Sequence, residues 1–295
     1  MRKQDYRHFD SLKVCLAIVC IGLISGCSSF DVLNTFTRSS HYTAHTGLRY
    51  APHERGLLDV YVPVDVQGDA PIIVFFYGGG WREGSREDYA FVASELTREG
   101  FVVVIPDYRL HPNVQFPEFV VDAADAYQFA YSRIGDFGLA ENHWFVAGHS
   151  AGGHIAALLA MDRQFLGVKQ ATIDGWVGLS GPYDFLPLEG GYLKTLFPEQ
   201  VRQASQPIGF VGPHVPPTLL IHGDDDKTVG IGNSERLAAA LESQGVDVTL
   251  HRYAGVAHAR VVAAMASPLS RLAPTTSDIV AFVRDVSGRK GSGAP

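Results

Sequence analysis

Trp144-Phe145-Val146-Ala147-Gly148-His149-Ser150-Ala151-Gly152 is the stretch on which the reading of the fold turns. Its first four residues form a continuous apolar run with no polar face, the pattern of a strand covered on both sides. A glycine-serine-glycine turn follows, and Ile155–Met161 then continues with helical character. G-x-S-x-G is a weak signal as a bare string. Between a strand and a helix it gains meaning, because a serine on so tight a turn projects its hydroxyl above the sheet, and only small residues fit two positions to either side. The helix that follows aims its free N–H groups and positive dipole end at the same spot.

Four further runs share the character of the first: Ile72-Ile73-Val74-Phe75-Phe76, Phe101-Val102-Val103-Val104-Ile105, Trp176-Val177-Gly178-Leu179 and Thr218-Leu219-Leu220-Ile221. Helix-like segments lie among them at Tyr89–Glu99, Phe119–Tyr131 and Ser234–Gln244, with apolar residues at helical spacing. Strand alternating with helix implies parallel pairing. The expected fold is α/β: a doubly wound, mostly parallel sheet of about eight strands with helices on both faces. Two antiparallel strands are expected at its start, near Leu48–Ala51 and Leu57–Val62. In such sheets, sites form at the carboxyl ends of the strands, so the loops after Phe76, Ile105, Ala147, Leu179 and Ile221 are the ones to read.

After Phe76 comes Tyr77-Gly78-Gly79-Gly80-Trp81. Consecutive glycines let backbone N–H groups approach a substrate without interference from a Cβ, which suits the charge that develops on a carbonyl oxygen during acyl transfer. No G-x-G-x-x-G follows, so a dinucleotide phosphate loop is excluded. After Ile221 comes His222-Gly223-Asp224-Asp225-Asp226, and later Gly255-Val256-Ala257-His258. A nucleophilic serine needs a base, and the base needs a carboxylate to fix its tautomer. The order Ser150, aspartate, His258 is the α/β-hydrolase order. Asp224, Asp225 and Asp226 all remain candidates on this ground alone, and a calcium loop is excluded because the alternating D-x-D-x-D spacing is absent.

With these motifs assembled, the chain resembles α/β-hydrolases of the carboxylesterase group that includes the hormone-sensitive-lipase-like and feruloyl-esterase-like enzymes. The likeness extends over roughly Gly47 to Val286, and includes Asp107-Tyr108-Arg109-Leu110 and Ser180-Gly181-Pro182-Tyr183-Asp184. The resemblance implies Ser150 as nucleophile, His258 as general base and, through the H-G-x-x-D spacing, Asp226 as the acid. It further implies an oxyanion hole from the N–H groups of Gly79, Gly80 and Ala151, with no metal and no cofactor. Tyr77 stands where relatives carry histidine, and a phenol can brace the loop as that histidine does. Asp107 and Arg109 are expected to hold the loop beneath the site by pairing with each other. Trp81 is expected to pack beside the oxyanion loop, His149 and His154 to be packing or solvent-facing and not a second base, and His222 to support the acid loop.

The resemblance points to an ester hydrolase, and Pro182–Pro217, too short for a large independent cap, favours short-chain acyl or small aromatic esters over long-chain lipids. Amide or peptide hydrolysis, arylformamidase-like or prolyl-oligopeptidase-like, uses the same triad, and a non-catalytic binding protein on the same scaffold is the third reading. Pro182–Pro217 is expected to form a short lid of about residues 182–217, whose apolar groups either line an acyl pocket or seat it on the core.

The formal net charge of −7 argues against a nucleic-acid partner. Residues 1–26 carry four basic against two acidic side chains, so the remainder is more acidic still. That segment pairs a basic start with the apolar run Val14–Ile24, too short to span a bilayer but suited to a signal peptide. It ends in Ile24-Ser25-Gly26-Cys27, which resembles the bacterial lipobox and implies cleavage before Cys27 and lipidation of that cysteine. The other cysteines, Cys15 and Cys20, precede the cut, which leaves no pair for a disulfide or thiolate metal site. The expected organisation is a lipoprotein signal peptide at 1–26, a lipidated tether at 27–46, the catalytic domain at 47–286 and a disordered tail at 287–295. The expected location is the bacterial envelope, anchored in a lipid bilayer through Cys27, with the outer membrane and its periplasmic face favoured by Ser28.

Overall fold

The apolar runs become the centre of one sheet. The computed structural model describes residues 33–35, 37, 39–66, 68–139 and 143–291; the signal peptide and Cys27 lie outside them. Among the described residues the strands are β1 (Tyr42–Arg49), β2 (Leu57–Pro63), β3 (Ile72–Phe76), β4 (Val102–Pro106), β5 (Trp144–His149), β6 (Ile173–Leu179), β7 (Thr218–Gly223) and β8 (Val248–Tyr253), in the order β1-β2-β4-β3-β5-β6-β7-β8. β2 runs antiparallel to β1 and β4, and the remaining neighbours are parallel. Every residue of β3, β4, β5, β6 and β7 is buried. Each such Val, Ile or Phe contributes about 1.5–3 kcal/mol relative to exposure.

The principal helices are α1 (Ala90–Arg98), α2 (Glu118–Arg133), α3 (Ala151–Met161), α4 (Arg163–Leu166), α5 (Gly191–Leu196), α6 (Gly232–Ser243), α7 (His258–Ala263) and α8 (Thr275–Gly291). On one face α1 packs with α8. On the other, α2 packs with α3, which lies along β3, β5 and β6. The strand order reverses beside β3, whose neighbours are β4 and β5. The loops after β3 and β5 therefore meet at the sheet's carboxyl edge, where a crevice opens.

Three boundaries differ from expectation. β1 begins at Tyr42, so residues 42–46 belong to the sheet and not to a tether. It is a half-exposed edge strand with a bulge between His45 and Leu48, and its polar composition hid it. Tyr50 and Ala51 have left the strand and turn back onto Gly56. At the other end α8 continues through Gly291, beyond the limit expected at 286. Arg289 extends it by pairing with Asp285 one turn earlier and with Asp247 outside the helix. Residues 292–295 of the expected tail lie outside the described residues.

The 182–217 segment is a short cover built from α5 and isolated turns. Leu196 and Phe197 are fully buried, and Leu188 nearly so, while Phe185, Leu186, Tyr192 and Leu193 line the crevice. Different side chains of the segment thus seat it on the core and face the crevice.

Candidate active site

Ser150 occupies the turn between β5 and α3 with φ +54° and ψ −120°. A β-carbon on Gly148 would lie 2.2 Å from the carbonyl oxygen of Gly152, and one on Gly152 would lie 2.0 Å from that of Phe76. Strand, turn and helix are pressed so closely that only glycine fits on either side of the serine.

His258 opens α7, and its Nε2 lies 2.9 Å from Ser150 Oγ. Its Nδ1 lies 2.7 Å from Asp226 Oδ2. The carboxylate can only accept, so Nδ1–H donates to it and Nε2 is left to accept the serine proton. Asp226 Oδ1 takes the N–H groups of Thr228 and Val229, both at 2.9 Å. The side chain of His222 is fully buried, with Nε2 3.2 Å from Asp226 Oδ2 and 2.8 Å from the Val229 carbonyl. Burial opposes the charge on Asp226. The hydrogen bonds from His222, His258 and Val229 outweigh it and hold the carboxyl well below the usual carboxylate range. Of the other two aspartates, Asp224 pairs with Arg252 at the surface and Asp225 is exposed.

Gly79 and Gly80 line the same cleft as Ser150, with φ +130° and +58°. A β-carbon on Gly79 would fall 2.1 Å from the Glu83 carbonyl oxygen, so this loop too closes on itself. Ala151 is the first residue of α3, and its N–H, like others of a first helical turn, has no acceptor within the helix. Three N–H groups thus belong to the loop and helix end that flank the serine oxygen. The cleft encloses about 980 Å³. Phe185, Leu186 and Leu193 give it an apolar wall, and Arg82 stacks over Tyr192 at 4.3 Å.

The supporting residues divide. His149 and His154 are both buried, the packing alternative of the two expected, and burial first, with repulsion from His258, pushes His149 down to about 3. Burial pushes His154 down to about 4. Both stay neutral at physiological pH. Trp81 packs against His154 and Phe197, each at 5.1 Å. The expected Asp107–Arg109 pair does not form. Arg109 binds Asp122 on α2 at 2.7 Å, whereas Asp107 binds Arg86 and Arg55. Residues two apart after a strand point the same way only when the chain stays extended, and here the partners on other elements decide the pairing. Arg55, Asp59 and Arg86 were not singled out from the sequence, because the contacts that unite them join separate elements and follow no local spacing.

The sheet order, the strained serine and the aligned imidazole and carboxylate define an α/β-hydrolase. The chain belongs to the BD-FAE family, whose profile matches residues 58–241, more than half of the chain. It is similar to esterase LipC of Mycobacterium tuberculosis, with 32% identity over 70% of this chain and 58% of that protein. It is also similar to a probable isoprenylcysteine alpha-carbonyl methylesterase of Oryza sativa, with 27% identity over 72% of this chain and 57% of that one. The chain thus spans a little over half the length of these curated relatives. Among solved structures, a hyperthermophilic esterase from the archaeon Pyrobaculum calidifontis superposes with a TM-score of 0.72 and 25% identity, covering 88% of this chain and 90% of that one.

Proposed function

We propose that this chain hydrolyses carboxylic esters through an acyl-enzyme on Ser150, and that its substrates carry short acyl chains or small aromatic acids. The observation that carries the reading is the 2.9 Å approach of His258 Nε2 to Ser150 Oγ, with Asp226 aligned behind the imidazole. In the first step Ser150 Oγ attacks the ester carbonyl while its proton passes to His258 Nε2. Asp226 stabilises the imidazolium, and the N–H groups of Gly79, Gly80 and Ala151 receive the oxyanion. Collapse expels the alcohol with the proton returned by His258. Water, deprotonated by the same nitrogen, then releases the acid.

The short cover supports small acyl groups, since α5 and its turns add one apolar wall and no separate cap. Initial rates on p-nitrophenyl esters of increasing chain length test this. The account expects kcat/KM to peak at short acyl chains and fall for long ones, with p-nitroanilides far slower and Ser150→Ala inactive throughout. A long-chain optimum would overturn the substrate class, and full activity of Ser150→Ala the nucleophile.

We also propose that the domain is held at a bacterial membrane, with the outer membrane favoured, by a lipid on Cys27. Leu33 is buried, and Asn34 Nδ2 donates to the carbonyls of Glu87 and Asp88 at 2.8 and 3.3 Å. Asp88 itself lines the cleft. Leu33 follows Cys27 by six positions, a reach of ~20 Å at full extension. A lipid there would keep the mouth of the cleft close to the bilayer surface.

A further inference from the structure

The loop that carries Gly79 and Gly80 starts at Tyr77 and closes at Gly84, and both ends meet one side chain that comes from elsewhere. Arg55 sits in the turn between β1 and β2. Its Nη2 donates to the Tyr77 hydroxyl at 2.5 Å, to the Gly84 carbonyl at 2.7 Å and to Asp107 Oδ1 at 3.2 Å. Its Nε donates to the Tyr108 carbonyl at 2.8 Å. The Tyr77 hydroxyl accepts from Arg55 and donates to Asp107 Oδ1 at 3.0 Å. Asp107 is anchored in turn by Arg86, whose Nη1 donates to Oδ2 at 2.6 Å and whose backbone N–H donates to Oδ1 at 2.9 Å. Tyr77 is fully buried and stacks on Tyr108 with centroids 4.6 Å apart.

Arg55, Tyr77 and Asp107 are not among the residues lining the cleft, so they act on bound substrate only through the loop. Between the two pinned ends, the N–H groups of Arg82 and Glu83 both donate to the Gly79 carbonyl at 3.1 Å. The loop is therefore a small closed unit whose orientation toward Ser150 is set where it is held.

We infer that Arg55 is a positioning residue for the reaction: one guanidinium ties the two ends of loop 77–84 together and so fixes where the N–H groups of Gly79 and Gly80 point. The inference deepens the esterase reading and rests on it. It also explains how the loop tolerates tyrosine at position 77, since the phenol serves as the relay between Arg55 and Asp107. The planar fork is required, because a lysine keeps the charge opposite Asp107 but offers no second nitrogen for the Tyr108 carbonyl.

The test is Arg55→Lys, read by steady-state kinetics on p-nitrophenyl acetate and by amide hydrogen exchange of the peptide spanning 77–84. Because a misplacement of about 1 Å costs up to ~100-fold, kcat is expected to fall by ~10–100-fold with KM little changed. Exchange in that peptide should accelerate while peptides from β7 and α6 keep wild-type rates. A merely structural arginine would lower the melting temperature without this kcat-specific loss. Should Arg55→Lys fail to fold, Tyr77→Phe removes only the relay hydroxyl and is expected to show both effects in smaller measure. A variant with wild-type kcat, or with unchanged exchange in 77–84, overturns the inference. Were the wild type to turn over no ester, the esterase reading would fail, and the exchange result alone would decide the clamp.

Discussion

At the scale of single residues, Asp226 shows how much one side chain must be held to serve its neighbour. Both of its oxygens are occupied, one by two backbone N–H groups and the other by His258 and His222. Asp226→Asn should keep the fold and lower kcat by ~10⁴, as loss of the carboxylate does in serine proteases, because the amide favours the wrong imidazole tautomer. The same substitution should cost stability at pH 7. The native carboxyl lies below its unfolded value near ~3.9, so its stabilisation is present above that pH and fades as the pH falls through the lower native value. Chemical denaturation of both proteins at pH 7 and in acid checks this, and a penalty that does not shrink in acid would contradict it. Ser150, His258 and the glycines were legible because each sits in a short motif. The partners of Asp107 and Arg109 were not, because side chains from β2, the β1–β2 turn, the segment before α1, and α2 select them.

Among elements, the β5–turn–α3 unit carries the serine and two buried neutral histidines. His149 packs against His258 with ring centroids 4.8 Å apart, and His154 Nε2 donates to the Ser205 carbonyl at 2.8 Å. Both native values, about 3 and about 4, lie below the ~6.5 of an unfolded histidine. Below ~6.5 the unfolded chain therefore binds more protons than the native one, and stability falls as the pH drops toward those native values. Each histidine contributes on the order of 1 kcal/mol per pH unit in that window. His154→Phe is expected to flatten the decline between neutral and mildly acidic pH in denaturant titrations, and an unchanged slope would refute the assignment. The central strands were readable because burial on both faces leaves an unbroken apolar run. β8 escaped notice because it is an edge strand whose Thr249, His251 and Arg252 face or border solvent, and β1 is obscured by the same physics.

At the scale of the whole molecule, the doubly wound order brings five loops, those after β3, β5, β6, β7 and β8, from distant parts of the chain to one sheet edge. Two termini modify that plan: α8 extends past its expected end, and the N-terminal segment grips the start of α1 through Asn34, whose Oδ1 accepts the N–H of Phe91. If Cys27 carries lipid, the full chain expressed in a bacterial host should partition into the detergent phase of Triton X-114, and Cys27→Ser should move to the aqueous phase. Detergent partitioning unaffected by Cys27→Ser would exclude the anchor. Asn34 also reaches the carbonyl of Asp88, a residue that lines the cleft, a tertiary contact no local pattern announces.

Everything proposed for the reaction requires Ser150 to be a nucleophile activated by His258. Intact mass spectrometry after treatment with a fluorophosphonate, followed by peptide mapping, tests this most directly. The account predicts one adduct per chain, located on Ser150, absent from Ser150→Ala and formed far more slowly by His258→Ala. An unmodified wild-type protein, or an adduct on another residue, would contradict it.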